Sequence, residues 1–387
     1  MTPEQIVEKL ASFPHRGAAT KNEAPVLDYL SSLFPNQEVS KEAFRTPKTY
    51  ISIVLWLITG LVVGLLSLNF SPVAGLFLVL IFVTMAMLYF NWYASPITSF
   101  PPLVTTYNLI IKSLSTKHKP KPQKLILMAH WDTAPISVLY RPEMVGNFRK
   151  SLKMSLFLMI LAQFVAISQF LIPNAFILLV ANILAFYFML QGFVGTIDFF
   201  RLGYSNGASD NATGVAAAIT TAQKLWEKNL DNLEVELVLT GAEEVGMIGS
   251  RAYLKKHYQE FTKDTYLLNF DTLGSGNLKI ITQTGSWSNI VYDNNLIQIA
   301  KQSVMDLTDL KGVTTGAWHT ADFDSVWFQR AGIPSVTLAA LDKYGRMPHI
   351  HRPKDILDNV DFSPMNQAIM LAEEIGEKLD TNKVFNT

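Results

Sequence analysis

The chain has 387 residues, of which 49% are hydrophobic and only 17% charged, against about 25% charged in an average soluble domain. That balance excludes a disordered chain, which needs low hydrophobicity and high charge. Lys+Arg and Asp+Glu stand at 32 each, so the formal net charge is zero and no basic excess points to nucleic acid. Cysteine is absent, which excludes disulfides, thiolate metal sites and a Cys nucleophile. Any metal must be held by carboxylates and the seven histidines.

The start, Met1-Thr2-Pro3-Glu4-Gln5, has no basic stretch leading into an apolar run, so no secretory signal is expected there. Thr2 caps a first helix, Pro3 suits its first turn, and Ile6 and Leu10 follow at helical spacing. A second helix is expected over Asn22–Leu33. From Thr49 to Ile111 there is no charged residue, and within that gap Ile51–Leu68 and Val73–Tyr89 are apolar runs broken by Asn69–Pro72. A membrane helix needs about 17–25 apolar residues, so this gap predicts a hairpin crossing a bilayer twice. Trp92 and Tyr93 fall where an interfacial aromatic belt would lie.

Lys124–Ala129 predicts a short buried strand. A second uncharged gap, Met154–Ile197, holds Ser155–Leu171 and Ala175–Gly195 around Ile172-Pro173-Asn174, and predicts a second hairpin. Its Gln163, Gln169, Asn182 and Gln191 are expected to face neighbouring helices, where amides find partners. Helices are then expected over Ala212–Lys228, Ile248–His257, Leu296–Leu310, Phe323–Arg330 and Met365–Leu379. Strands are expected over Leu233–Thr240, Tyr266–Phe270, Leu278–Thr282 and Ser335–Leu338. Alternation of strands and helices implies an α/β domain with a mainly parallel mixed central sheet and helices on both faces. The expected division is a polar domain of residues 1–48, 97–150 and 198–387, with inserted hairpins at 49–96 and 151–197.

Arg45 and Lys48 precede the first hairpin; Arg141, Arg149, Lys150 and Lys153 precede the second, and Arg201 follows it. Both short connecting turns are uncharged. Because basic flanks stay cytoplasmic, the expectation is a multi-pass integral membrane protein with its polar domain on the cytoplasmic face.

Sites in such sheets collect where strands end at their C-terminal edges. The first strand ends in His130-Trp131-Asp132. Leu233–Thr240 runs into Gly241-Ala242-Glu243-Glu244, and Tyr266–Phe270 into Asp271. A Gly-rich turn carries Asp210, and His349-Ile350-His351-Arg352-Pro353-Lys354-Asp355 comes late in the chain. Each piece has a plainer reading alone: Asp210 as a helix cap, Asp271 as a turn cap, Glu243-Glu244 as a solvated pair. Together, two histidines and three carboxylates suffice to hold two divalent ions with one carboxylate between them. A site with only nitrogen and oxygen donors suits zinc.

These segments resemble the co-catalytic di-zinc aminopeptidase family, which includes secreted bacterial aminopeptidases, aminopeptidase Y, glutamate carboxypeptidases and glutaminyl cyclases. LMAHWDT is similar to its H-x-D segment, GASDNATG to its G-A-x-D-N-x-S/T-G turn, and TGAEEVGMIGSRAY to its E-E-x-G-x-x-G-S segment. LLNFDTLG is similar to its metal-Asp strand end, and HRPKDILDNVD to its terminal H-T-P-x-D segment, approached through ADFDSVWFQRAGIPSVTL. The resemblance covers residues 105–380 well and 1–46 loosely, through FPHRG and EAF. The hairpins have no counterpart in the family's soluble members.

Residue by residue, the resemblance implies His130 and Asp271 on one Zn²⁺, Glu244 and His351 on a second, and Asp210 bridging them. It implies Asp132 as the group orienting His130, and Glu243 as general base toward a peptide substrate. His351, four residues before Asp355, fits the family spacing; His349 lacks it. One departure is Ile350, where the family often has a Tyr that donates to the oxyanion, which leaves Tyr344 or His349 for that role. Lys343 and Arg346 are the cations that a carboxypeptidase or dipeptidase would use for a substrate carboxylate. A glutaminyl cyclase-like transferase and a non-catalytic receptor are further alternatives within the resemblance, and a transporter is disfavoured by helices bearing only amides and hydroxyls. His15, His118, His257 and His319 are read as structural or surface residues. Oligomeric state stays open.

Overall fold

The computed structural model describes residues 1–114, 123–228 and 230–381; His118 lies outside them. In chain order the elements open with α1 (Pro3–Ala11), α2 (Glu23–Ser32), β1 (Glu38–Pro47), α3 (Tyr50–Ser67), α4 (Pro72–Phe90), β2 (Leu103–Lys112) and β3 (Gln123–His130). Next come α5 (Pro142–Val145), α6 (Phe148–Leu171), α7 (Ala175–Leu202), α8 (Gly214–Glu227), β4 (Leu233–Thr240), α9 (Ile248–His257) and β5 (Thr265–Asp271). The chain ends with β6 (Asn277–Thr284), β7 (Ile290–Val291), α10 (Asn295–Asp306), β8 (Thr314–Ala317), α11 (Ser325–Arg330), β9 (Ser335–Leu341) and α12 (Ser363–Thr381). Thr2 caps α1 as expected, with its hydroxyl accepting from Gln5 N and the Gln5 side chain returning the bond.

All the strands join one mixed sheet, ordered β1-β2-β4-β3-β5-β9-β6-β7, with β8 beside β6. The centre, β4-β3-β5-β9, is parallel. The flanks are antiparallel through β1-β2, β2-β4, β9-β6 and β6-β7. Alternate residues of β3 show why the sheet is covered twice. Leu125, Leu127 and Ala129 join the large core with α1, α2, α8, α10 and α12. Ile126 and Met128 join Tyr253 of α9 and Phe328 of α11 on the other face.

Strands β1 and β2 were not assigned from the sequence. β1 carries no clear apolar alternation, and β2 lies in or beside the uncharged gap. They form by pairing with each other, from Glu38 opposite Lys112 to Pro47 opposite Leu103. The first apolar hairpin is therefore the loop of a β-hairpin. The second leaves from the end of β3 and returns before α8, its base closed by a bridge between Pro135 and Tyr204. β2 runs antiparallel to β4 with Leu109 opposite Leu239, so Leu103 and Pro47 lie beyond the C-terminal end of β4. Both hairpins thus root at the edge where the parallel strands end.

Helices α3, α4, α6 and α7 are each long and apolar enough to cross a membrane. They close into a ring in which α3 touches α4 and α7, and α6 touches the same two. Small residues permit the close approach. A Cβ on Gly60 would fall within 2.2 Å of the Phe82 ring, and one on Gly64 within 2.9 Å of the Val79 backbone. Three of the four amides find partners: Asn182 bonds Asn69 of the first turn, Gln191 donates to Ser155 of α6, and Gln169 accepts from Asn174 N in its own hairpin's turn. Outside the ring, Phe77, Phe164, Phe186 and Phe193 are each more than half exposed. Two helices outrun the expected boundaries. α6 begins at Phe148 and includes Arg149, Lys150 and Lys153, and α7 continues to Leu202. There Asp198, nearly fully buried, accepts two hydrogen bonds from Arg141, at 3.0 and 2.6 Å.

Candidate active site

The segments carrying the proposed ligands meet at the C-terminal edge of the parallel strands. His130 ends β3 and Asp271 ends β5. Glu243 and Glu244 form a 3-10 turn just beyond β4, and Asp210 sits in the tight turn before α8. His351 comes from the loop between β9 and α12. His130 Nε2 lies 3.3 Å from Asp210 Oδ1 and 3.6 Å from Asp271 Oδ2. His351 Nε2 lies 3.2 Å from Asp210 Oδ2 and 3.0 Å from Glu244 Oε2. The two oxygens of Asp210 therefore face two different clusters, His130 with Asp271 and His351 with Glu244. Glu243 Oε2 stands 3.9 Å from His130 Nε2, at the open side of the first.

The backbone is bent to deliver these side chains. Ala242, just before Glu243, Thr272, just after Asp271, and His351 itself all have positive φ. Such conformations cost of order 1–3 kcal/mol each and persist where the surroundings over-determine them. Gly207 opens the Asp210 turn at φ +74°, and a Cβ there would fall 2.3 Å from Thr133 Cγ2 and 2.4 Å from Asp210 O, so only glycine fits.

A buried hydrogen-bond frame locks the turns together. Asn211 donates to Phe270 O at 3.0 Å and accepts from Thr272 N and Gly214 N, tying the Asp210 turn to the end of β5. Asp355 accepts from Ser209 N at 2.7 Å and Asp210 N at 3.2 Å. Arg16, fully buried, donates to Trp131 O, Asn206 O and Gly207 O, tying β3 to the same turn. Burial pulls the Arg16 guanidinium down to about 10, although Asp355 and Asp210 oppose the shift.

Asp132 differs from its expected role. His130 Nδ1 lies 3.1 Å from the Asp132 backbone carbonyl and 3.7 Å from its carboxylate. The carboxylate instead accepts from Glu243 N at 3.1 Å and Glu244 N at 3.3 Å. Its side chain is committed to the turn that presents both glutamates, and the main chain orients the histidine. The two-residue spacing of H-x-D is compatible with either arrangement; only the packing of β3 beside β4 selects one.

Tyr344, His349 and Arg346 do not join the cluster. Tyr344 is exposed, with the Arg346 guanidinium over its ring. His349 accepts from Arg352. The tyrosines that line the site are Tyr140, Tyr50 and Tyr89, of which Tyr140, missed by sequence reasoning, packs on His351. Its ring centroid lies 4.3 Å from that of His351, tilted by 53°, and the residue is almost fully buried. Burial drives its phenol well above the ordinary value, and Glu244, Asp210 and Glu243 push it further. No motif marks Tyr140; it arrives because the foot of the second hairpin folds over His351, where Ser137 N donates to His351 O. The remaining described histidines are structural: His257 bonds Glu42 and Glu260, His15 stacks on Tyr204, and His319 meets Gly285 O.

The electrostatics call for added positive charge. Burial raises Glu243 well above the usual carboxylate range and Glu244 to about 8, with neighbouring carboxylates adding to both. Burial also works against ionisation of Asp210, but the two imidazoles hold it below its ordinary value. Burial would lower both histidines; the carboxylates around them reverse this, taking His351 to about 10. Asp210 Oδ2, Glu244 Oε1 and His351 Nδ1 are buried without a hydrogen bond. Asp210 Oδ2 sits 3.2 Å from an imidazole nitrogen yet lacks hydrogen-bond alignment, as expected of two ligands aimed at one ion. The donor set, all imidazole nitrogen and carboxylate oxygen, fits zinc.

Comparison with known proteins agrees with this reading of the fold. Residues 191–374 match the model of Peptidase family M28. That span takes in Asp210, Glu243, Glu244, Asp271 and His351; His130 lies before it and joins through β3. Aminopeptidase YwaD of Bacillus subtilis is 25% identical over 181 residues, 45% of this chain and 38% of that protein. The protein named Probable lipoprotein aminopeptidase LpqL of Mycobacterium tuberculosis is 40% identical over 83 residues, 21% of this chain and 17% of that one. The chain thus matches well under half the length of these curated relatives. A Zn-dependent exopeptidase from Parabacteroides distasonis superposes with a TM-score of 0.56 at 14% identity, covering 99% of this chain and 97% of that one. Glutaminyl cyclase from Porphyromonas gingivalis does so with 0.56 at 14%, covering 98% and 97%. At such identity these two show a shared fold. The chain resembles the co-catalytic zinc aminopeptidase family, in fold and in ordered motifs.

Proposed function

We propose that this chain, with its Peptidase family M28 match, is a membrane-embedded zinc metallopeptidase that releases residues from the amino terminus of peptides. The observation that carries the proposal is the division of the two Asp210 oxygens between His130 with Asp271 and His351 with Glu244. Those five residues would hold two zinc ions. Such a pair lowers the pKa of bound water and polarises a carbonyl.

The chain's own residues supply the rest. Glu243, the carboxylate beside both clusters but paired with neither histidine at hydrogen-bond distance, takes the proton from the attacking water and returns it to the leaving amine. Asp132 fixes the turn bearing Glu243 and Glu244. Tyr140 donates to the carbonyl oxygen as it gains charge, in place of the Tyr that Ile350 displaces.

Amino-terminal cleavage is favoured over carboxypeptidase action by the cavity at this site. Its walls include Glu243, Glu244 and Asp322 but no Lys or Arg among the described residues. With no Lys or Arg in the wall, no cationic side chain there would pair with a substrate carboxylate. The test is a hydrolysis screen of aminoacyl-anilides, dipeptides and N-blocked peptides in reconstituted membranes, with and without added zinc. Zinc-dependent cleavage of free-amine substrates is expected; cleavage confined to N-blocked peptides would refute the assignment.

The four helices would cross the bilayer with the sheet domain on the cytoplasmic side. Lys48 abuts α3, Arg149, Lys150 and Lys153 lie in the first turns of α6, and Arg201 lies in the last turn of α7. Cysteines replacing the exposed Ser71 and Asn174 should react with an impermeant reagent added outside the cell, and one replacing the exposed Lys311 should not. The reverse pattern would invert the orientation.

A further inference from the structure

The cavity at the metal cluster does not stop at the sheet domain. It encloses about 230 Å³ and is walled by the four-helix ring as well as by Glu243, Glu244 and His351. On α3 its wall runs from Ile51 through Val54 to Ile58, about 10 Å along the helix at 1.5 Å per residue. On α6 it runs from Leu152 through Leu156 to Met159. On α7 it meets Gln191, Gly195 and Thr196. The only polar side chains at that depth are hydroxyls and the Gln191 amide, which is already spent on Ser155.

The helix ring and the catalytic turn are one packing unit. Ala242 and Val245, on either side of the two glutamates, belong to the same hydrophobic cluster as the core of the ring. The Tyr89 hydroxyl, from the last turn of α4, donates to Val245 O at 2.9 Å. An apolar slot therefore begins at the reacting carboxylates and extends down between helices whose outer faces are apolar too.

Resting on the hydrolase reading above, we infer that the helix ring is the specificity pocket: it takes a long apolar group attached to the carbonyl carbon of the scissile amide. The slot is deep enough for more than a short side chain. It holds no charge to anchor a polar one, and burying apolar surface is the one interaction it offers. A group of this chemistry has two sources, the apolar side chain of an amino-terminal residue or the acyl chain of an N-acylated amine. In either case water adds to the carbonyl carbon, the C–N bond breaks, the amine leaves with the proton carried by Glu243, and a carboxylic acid remains.

Gly195 provides the test. It lines the cavity, and a Cβ built on it meets no atom within 4 Å, so a larger side chain can enter the slot without a clash. The protein in lipid nanodiscs is assayed on alanyl, leucyl, 2-aminodecanoyl and decanoyl anilides. The 2-aminodecanoyl substrate is expected to exceed the alanyl one at least tenfold in kcat/KM. Gly195→Phe should cut that ratio at least tenfold, whereas Val63→Phe, on the exposed face of α3, should leave it unchanged. Preference for the 2-aminodecanoyl over the decanoyl substrate assigns the side-chain source; the opposite assigns the acyl source. Binding is measured separately on zinc-loaded protein with acetohydroxamate and decanoyl hydroxamate. Decanoyl hydroxamate should bind at least tenfold tighter, and Gly195→Phe should remove the difference. Equal binding of the two hydroxamates, or equal loss in both variants, overturns the pocket assignment even if hydrolysis is normal. Chain-length-dependent binding without hydrolysis of any substrate would retain the pocket and refute the peptidase reading.

Discussion

Glu243→Gln should lower turnover by about 10²–10⁴-fold, the usual cost of losing a general base, while leaving zinc content unchanged. Glutamine keeps the shape of the side chain and the backbone N–H that Asp132 accepts, so the turn stays in place. What it loses is the ability to accept a proton from water. Turnover is read on the best anilide of the screen and zinc by elemental analysis of the same sample. Tyr140→Phe is the informative contrast. It keeps the ring that packs against His351 and removes only the hydroxyl, so kcat should fall by about 10²–10³-fold, as when an oxyanion donor is lost, with KM little changed. A Glu243→Gln protein with near-normal turnover would remove the base assignment, and an unchanged Tyr140→Phe would remove the donor.

Asp210→Asn should weaken both zinc ions together. The Asp210 carboxylate presents one oxygen to His130 and the other to His351. The amide carries no charge and presents a donor where one cation would sit. Loss of an outer partner of a metal ligand typically costs 10–100-fold in affinity, so loss of a shared ligand should cost at least about 100-fold at both positions. His351→Ala should instead spare the ion on His130 and Asp271, leaving about one zinc per chain. Competition with a chelator of known affinity reads both. Retention of two zinc ions at unaltered affinity in Asp210→Asn would contradict the bridging arrangement.

The four long apolar helices and the candidate site are joined by where the hairpins are inserted. The hairpins are inserted in two separate loops, yet both loops lie at the C-terminal edge of the parallel strands. Any helices planted there must stand over the ends of β3, β4 and β5. That is also where ligands in an open α/β sheet gather, because strand ends leave backbone groups and short turns free to present side chains. Placement of the hairpins therefore brings four long apolar helices to the mouth of the site.

The sequence by itself determined the motif residues and the apolar spans, and the reason is locality. Each candidate ligand sits in a short contiguous segment whose residue types are set by its own turn, as Gly207 is by the turn bearing Asp210. An uncharged run of helix length predicts a long apolar helix without reference to any other part of the chain, and α3, α4, α6 and α7 are such helices. Strands β1 and β2 escaped because their stability lies in pairing with each other across the whole first hairpin, with Pro47 opposite Leu103. The role of the Asp132 carboxylate escaped because its partners, Glu243 N and Glu244 N, lie 111 and 112 residues away and meet it only once β3 lies beside β4. Tyr140 and the cavity through Ile58, Met159 and Gly195 escaped for the same reason. They are made where four helices and three strand ends converge, and convergence is decided by packing.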